Sequence, residues 1–305
     1  MSNSVLAVTQ YPVPPLDLSA PSGLSWVFTV LCVVFGLVAV GYGAWLARRG
    51  EVMGLALLVG GLLTCTFEPL ADYIGLLWFA DDNVAVTVNL VGRHIPLYVV
   101  VGYMFFFGLL SYIDYRAIVL GAGRKYFLGS FAIAFVFDWT LQATGANFDL
   151  YRYYGADPFR IFGAPLWWFA IDGSATVLIA FVMFILRHRI VGWGRLLPVV
   201  CVLPLYAGWN AAVGMPIFAA KNSNFDPAVN GNGSNVLVLI GGLLTFAAVA
   251  FFGWIILGEI QRAQRGAGIP VMRRFSLRTL LFAPLAYEPV DARGARSSAV
   301  ANQVA

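Results

Sequence analysis

Seven apolar runs, each about 18 residues or longer, partition the chain and restrict what it can fold into. A helix rising about 1.5 Å per residue needs about 20 residues to cross about 30 Å of hydrocarbon. In lipid each segment has to satisfy its own backbone hydrogen bonds, which favours helices for runs of this length. The runs fall at roughly 24–47, 53–73, 95–113, 126–144, 165–187, 196–218 and 235–258. They predict an all-α polytopic membrane protein, a bundle of seven transmembrane helices. The composition agrees: 60% of the 305 residues are hydrophobic, 11% are charged and the mean hydropathy is +0.80, well away from a soluble domain.

Lysine and arginine set the expected orientation, because short cytoplasmic segments carry them in excess. Threading seven helices puts 15 of the 19 on one side and leaves Arg93, Arg152, Arg160 and Lys221 on the other. The N-terminus is therefore expected outside the cytoplasm and the C-terminus inside it. The formal charge of +4 is mostly this topology signal, and nucleic acid is not an expected partner.

Three regions follow. Residues 1–23 form an extracytoplasmic N-terminal segment; with no Lys or Arg they lack the basic start of a secretory signal, so the first run reads as a retained helix. Residues 24–260 form one helical domain, uninterrupted by any polar linker. Residues 261–305 form a basic cytoplasmic tail, in which "VMRRFSLRTLLFAPL" reads as a membrane-surface segment and "DARGARSSAVANQVA" as disordered. On the outer side, residues 145–164 make a long aromatic loop, read as an interfacial belt or as a lid over a cavity. Asn232-Gly233-Ser234 matches an N-glycosylation pattern, relevant only in a eukaryotic secretory pathway.

Charged groups in hydrocarbon are costly and by default mark functional sites. Here they are Glu68 and Asp72 on the second run, Asp138 on the fourth and Asp172 on the fifth, with Gln142 and Asn210 as polar neighbours. Counting along the helices puts Glu68 about 8 Å, Asp138 about 12 Å, Asp172 about 10 Å and Asn210 about 8 Å below the outer boundary. Polar groups from four helices thus share one outer layer, and no costly residue falls in the cytoplasmic half. Glu68 and Asp72 share a helical face, as do Asp138 and Gln142. Pro69, which lies between the first pair, removes a backbone donor and predicts a kinked helix. Asp72, at the slab edge, reads as a rim residue; Asp81, Asp82, Asp114 and Glu259 read as solvated flanks. "VGRHIPLY" opens the third helix and supplies Arg93 and His94 at the same outer level, while Arg152 and Arg160 are within reach from the loop.

Cys32, Cys65 and Cys201 lie inside the runs without CxxC or Cys/His spacing, and the chain holds only His94 and His188. That inventory disfavours a metal enzyme, so no metal and no cofactor is expected. With no Cys/His pair, GxSxG or phosphate-cradling loop either, general acid–base catalysis is the economical chemistry. A carboxylic acid in apolar surroundings hands a proton to an alkene, epoxide, ketone or hydroxyl while an ionised neighbour accepts one. The expected roles are Glu68 as acid, Asp138 or Asp172 as base or cation stabiliser, and Asp72 with His94 as orienting groups. Arg93, Tyr103, Gln142, Tyr153, Tyr154, Trp167, Trp168 and Asn210 are the expected substrate-binding residues.

The segments "FEPLADYIGLLWF", "GRHIPLYVVVGY", "YRYYGADPFRIFGAPLWW" and "GWNAAVGMP" make the helical region resemble the actinobacterial membrane proteins grouped as AveC-like spirocyclases. The resemblance covers about residues 24–258 and carries no motif that transfers position by position. It implies spiroketal formation or dehydration on a lipophilic polyketide-like substrate in a bacterial cell membrane. The acids on neighbouring helices are also similar in style to membrane-bound terpene cyclases and carotenoid hydratases. Membrane lipids and such a small molecule are the expected partners; oligomeric state stays open. A proton-coupled transporter is the main alternative, but it requires polar groups in the inner halves of the helices. A non-enzymatic lipid-binding protein is another. A retinal photoreceptor is disfavoured, since Lys125 and Lys221 read as one at each surface.

Overall fold

A computed structural model describes residues 12–223, 235–272 and 276–285. Among them, seven helices long and apolar enough to cross a membrane run Ser22–Ala47, Met53–Gly75, Leu97–Val119, Arg124–Asn147, Leu166–Arg189, Gly192–Ser223 and Val236–Gly266. The third and seventh extend well past the ends of their apolar runs. Of the charged residues there, Arg116 pairs with Glu51 inside the protein and Arg262 with Glu259 on an exposed helix face.

The fifth span is the most enclosed of the seven and packs against the third, fourth, sixth and seventh. Close approach between the second and third spans depends on two glycines. A Cβ on Gly61 would sit 2.7 Å from the Tyr103 carbonyl oxygen, and one on Gly108 would sit 2.8 Å from that of Leu57. The small face of the first span is used within the chain, since a Cβ on Gly36 would meet Val101 at 2.5 Å.

The chain is mostly helical, as expected, and on one face the connections form short antiparallel ribbons. Strand β1 (Leu77–Phe79) pairs with β4 (Tyr151–Tyr153), placing Phe79 opposite Tyr151. Strands β2 (Val86–Leu90) and β3 (Arg93–Pro96) form a hairpin, and β5 (Arg160–Ile161) pairs with β6 (Ala164–Pro165). Val91 and Gly92 make the two-residue hairpin turn at φ 55° and 68°, the left-handed geometry that matches strand twist. Arg93 and His94 therefore lie on a strand and not at a helix start. The helix waits for Leu97 because Pro96, at φ −70° and ψ 157°, holds the N-cap extended.

Asn83 stitches this looped face together. Its Nδ2 donates to the carbonyls of Ala80 at 3.0 Å and Leu150 at 2.7 Å, and its Oδ1 accepts from Ser25 Oγ at 2.9 Å. One buried amide thus ties the first span to both long connections.

On the opposite face, the tail segment Leu277–Phe282 is a short helix docked against the bundle. Arg116, counted in the sequence among the cations of the cytoplasmic side, is fully buried beneath it and donates from Nε to the Leu280 carbonyl at 2.7 Å. The sequon at 232–234 and the end of the tail lie outside the described residues.

Candidate active site

The second span breaks where Pro69 predicts. Its helix Met53–Thr64 gives way to a tight turn, Cys65–Phe67, and a new helix, Glu68–Gly75, begins with Glu68 as first residue. The third span is also irregular: a wide π-type segment, Met104–Leu110, directly follows Tyr103. Such insertions are frequent at functional sites. Between these two irregularities lies a cavity of about 80 Å³.

Glu68, Asp138, Gln142 and Asp172 line that cavity, and Tyr98, Tyr103, Tyr151, Trp168 and Phe105–Phe107 form its aromatic walls. The three carboxylates come from three different spans and are all buried. Hydroxyl groups join two of them. Tyr103 donates to Glu68, the Tyr103 and Tyr206 hydroxyls meet at 3.2 Å, and Tyr206 donates to Asp172 Oδ1 at 2.9 Å. Gln142 Nε2 donates to Asp138 Oδ1 at 3.0 Å, while Asp138 Oδ2 is buried with no hydrogen-bond partner. Buried polar atoms left this way are rare and mark reactive or hydrated positions.

The long loop contributes one wall of the cavity. Tyr151 lines it, and the hydroxyls of Tyr151 and Tyr153 donate to the main-chain and side-chain oxygens of Gln142, the first at 2.8 Å. Burial pushes both phenols up from their ordinary pKa, so they remain donors. The volume admits a few waters or the reacting end of a substrate; whole small-molecule pockets run to about 300–1,000 Å³.

Several expected positions are corrected. Asp72 is not at the rim: it is fully buried, and neither carboxylate oxygen has a hydrogen-bond partner. The helix does end there, but folded connections, not water, lie above it. Arg93 acts on Asp72 electrostatically from within an aromatic cage, 4.7 Å above the Trp78 ring and bonded to the Tyr154 hydroxyl at 2.8 Å. His94 points elsewhere, with its side chain 35% exposed and 4.0 Å from Asp81. Asn210 donates to Tyr206 O in its own helix at 3.3 Å and is not among the cavity-lining residues.

Trp167 and Tyr154 lie near Lys221 rather than on the cavity. Lys221, read as a surface lysine, is fully buried, ion-paired with Asp157 and 5.6 Å from the Trp167 ring. Arg152 and Arg160 pair with Asp149 and Asp157 in their own loop and do not reach the acidic layer.

Asp114 is likewise not a solvated flank. It is buried, accepting from Ser130 Oγ at 2.6 Å and from Thr176 Oγ1 at 3.2 Å. Tyr206 was the other residue missed; its spacing of four from Asn210, on one helical face, is the sequence signal that points to it. Among the described residues no group of three or more His, Cys, Asp or Glu is disposed to hold a metal ion.

Fold and site together define a multi-pass membrane protein with a buried carboxylate and tyrosine cavity. No family model, curated protein or solved structure matches the chain.

Proposed function

We propose that the chain is an integral-membrane acid–base enzyme, a cyclase or a dehydratase/hydratase. It works on the reacting end of a lipophilic polyketide- or isoprenoid-like substrate. The observation that carries this reading is the convergence of Glu68, Asp138 and Asp172 on one aromatic-walled cavity. In a dehydration, Glu68 passes a proton to the departing hydroxyl, which leaves as water. Asp138 or Asp172 then takes a proton from the neighbouring carbon as the double bond forms, and the hydroxyls of Tyr103 and Tyr206 offer the return path between the acids. Cationic character is stabilised by the faces of Tyr103, Tyr151 and Trp168.

The reading places the cavity toward the outer leaflet of a bacterial cell membrane, with the N-terminus outside, and needs no cofactor. The AveC-like resemblance supports the same substrate class. Comparison of lipid extracts from cells expressing the wild-type chain, Glu68→Gln or Asp172→Asn tests it. A product present with the wild type and lost with both variants is expected; the same product with folded Glu68→Gln defeats the role of Glu68.

Asp114 favours a second reading, a proton-coupled transporter. Its partner Thr176 is one helical turn from Asp172, about 6 Å along the axis, so polar groups do extend toward the opposite face.

A further inference from the structure

A second concavity opens away from the carboxylates, between the fourth, fifth and seventh spans. It is an apolar groove of about 650 Å³, floored by Ala170 and Val177 and walled by Phe127, Phe131 and Val249. On the fourth span it runs from Arg124 to Phe135 and on the seventh from Leu257 to Phe246. Either stretch is about 16 Å long, half of a hydrocarbon core about 30 Å thick. Its mid-membrane end lies at Phe246, which packs against Phe159 at 5.5 Å, while Pro158 covers Gly242 above. At the other end stands Arg124, an exposed cation. The acid nearest to that end along the seventh span, Glu259, is taken by Arg262 at 3.1 Å.

We infer that this groove binds one acyl chain of an anionic phospholipid from the adjoining leaflet, with the phosphate on Arg124. The length argues for a lipid over a second copy of the chain, because a partner helix would seek a seam across the whole membrane and this one stops at one leaflet. Charge argues for an anionic headgroup, since the single polar group at the mouth is a guanidinium, which pairs with phosphate through its fork of donors. Gly253 borders open space in this wall, since a Cβ there would meet nothing within 4 Å. The site is independent of the acid–base reading and stands or falls separately from it.

The test is native mass spectrometry of the full-length protein released from micelles containing equal phosphatidylglycerol and phosphatidylcholine. One retained phosphatidylglycerol per chain is expected. Arg124→Gln should reduce the preference for phosphatidylglycerol about fivefold, the worth of one arginine beside an anionic lipid surface. Gly253→Phe should fill the groove and remove retained lipid of both kinds while circular dichroism stays unchanged. Phosphatidylglycerol retained equally by both variants overturns the proposal. So does a dimer mass abolished by Gly253→Phe, which would assign the groove to a second copy.

Discussion

Tyr206 donates its hydroxyl to Asp172 at 2.9 Å and meets the hydroxyl of Tyr103 at 3.2 Å, which links Asp172 to Glu68 across the bundle. Tyr206→Phe keeps the ring contacts and removes only this link. The expected result is a folded protein destabilised by ~1–3 kcal/mol, the range for leaving a buried partner unsatisfied. Product formation should fall by about tenfold or more, within the range that positioned proton transfer contributes. Thermal unfolding in detergent and product in lipid extracts measure the two effects.

Asp114 separates the enzymatic from the transport reading. Asp114→Asn keeps one acceptor oxygen, turns the other into an amide that donates to the facing hydroxyl, and cannot carry a proton. On the enzymatic reading, proteoliposomes of wild type and Asp114→Asn hold an imposed pH gradient equally well, as followed with an entrapped pH dye. A gradient that collapses with the wild type and is preserved by Asp114→Asn would establish the transporter instead.

Arg116 and Glu51 clamp the tail. Arg116 is fully buried, pairs with Glu51 and donates to the Leu280 and Ala283 carbonyls, while Leu285 N–H donates to Glu51 Oε1 at 3.3 Å. Arg116→Met leaves Glu51 without its cation and should cost about 3–5 kcal/mol, as for other broken buried pairs. Trypsin cleavage after Arg278 should accelerate in the variant. Pairing Arg116→Met with Glu51→Leu should restore much of the stability while the tail stays cleavable.

Asp82 holds the N-terminal approach to the first span, accepting from the Ala20 N–H at 2.7 Å and from the Ser19 hydroxyl. These bonds, the backbone one first, keep its carboxyl below the ordinary value of 3.8. A depressed folded pKa means the contribution is complete above the unfolded value and is lost as pH falls through the folded one. Hydrogen exchange over residues 18–22, corrected for intrinsic rates, should therefore rise as pH is lowered from about 5 to about 2. Asp82→Asn should abolish that acid dependence.

Much of the fold was legible because lipid imposes one length and one hydropathy on every span, so the seven apolar runs needed no knowledge of their neighbours. The meeting of Glu68, Asp138 and Asp172 was legible in depth for a related reason: rise per residue converts position in a run into height. The same count failed at run ends. Asp114 was read as lying just past a helix that in fact continues to Val119. Asp72 was placed at a water boundary that the β1–β4 ribbon and the β2–β3 hairpin displace.

By itself, the sequence determined the membrane class, the number of spans, the break before Pro69 and the shared level of Glu68, Asp138 and Asp172, all consequences of local chemistry. Only the tertiary structure decided which charges are solvated. Lys221 is buried because Asp157, 64 residues away, folds onto it, and Arg116 is buried because the tail, 164 residues on, lies across it. A charge tolerates burial when a partner arrives to satisfy it. Partners drawn from distant connections leave no periodicity in the chain to read.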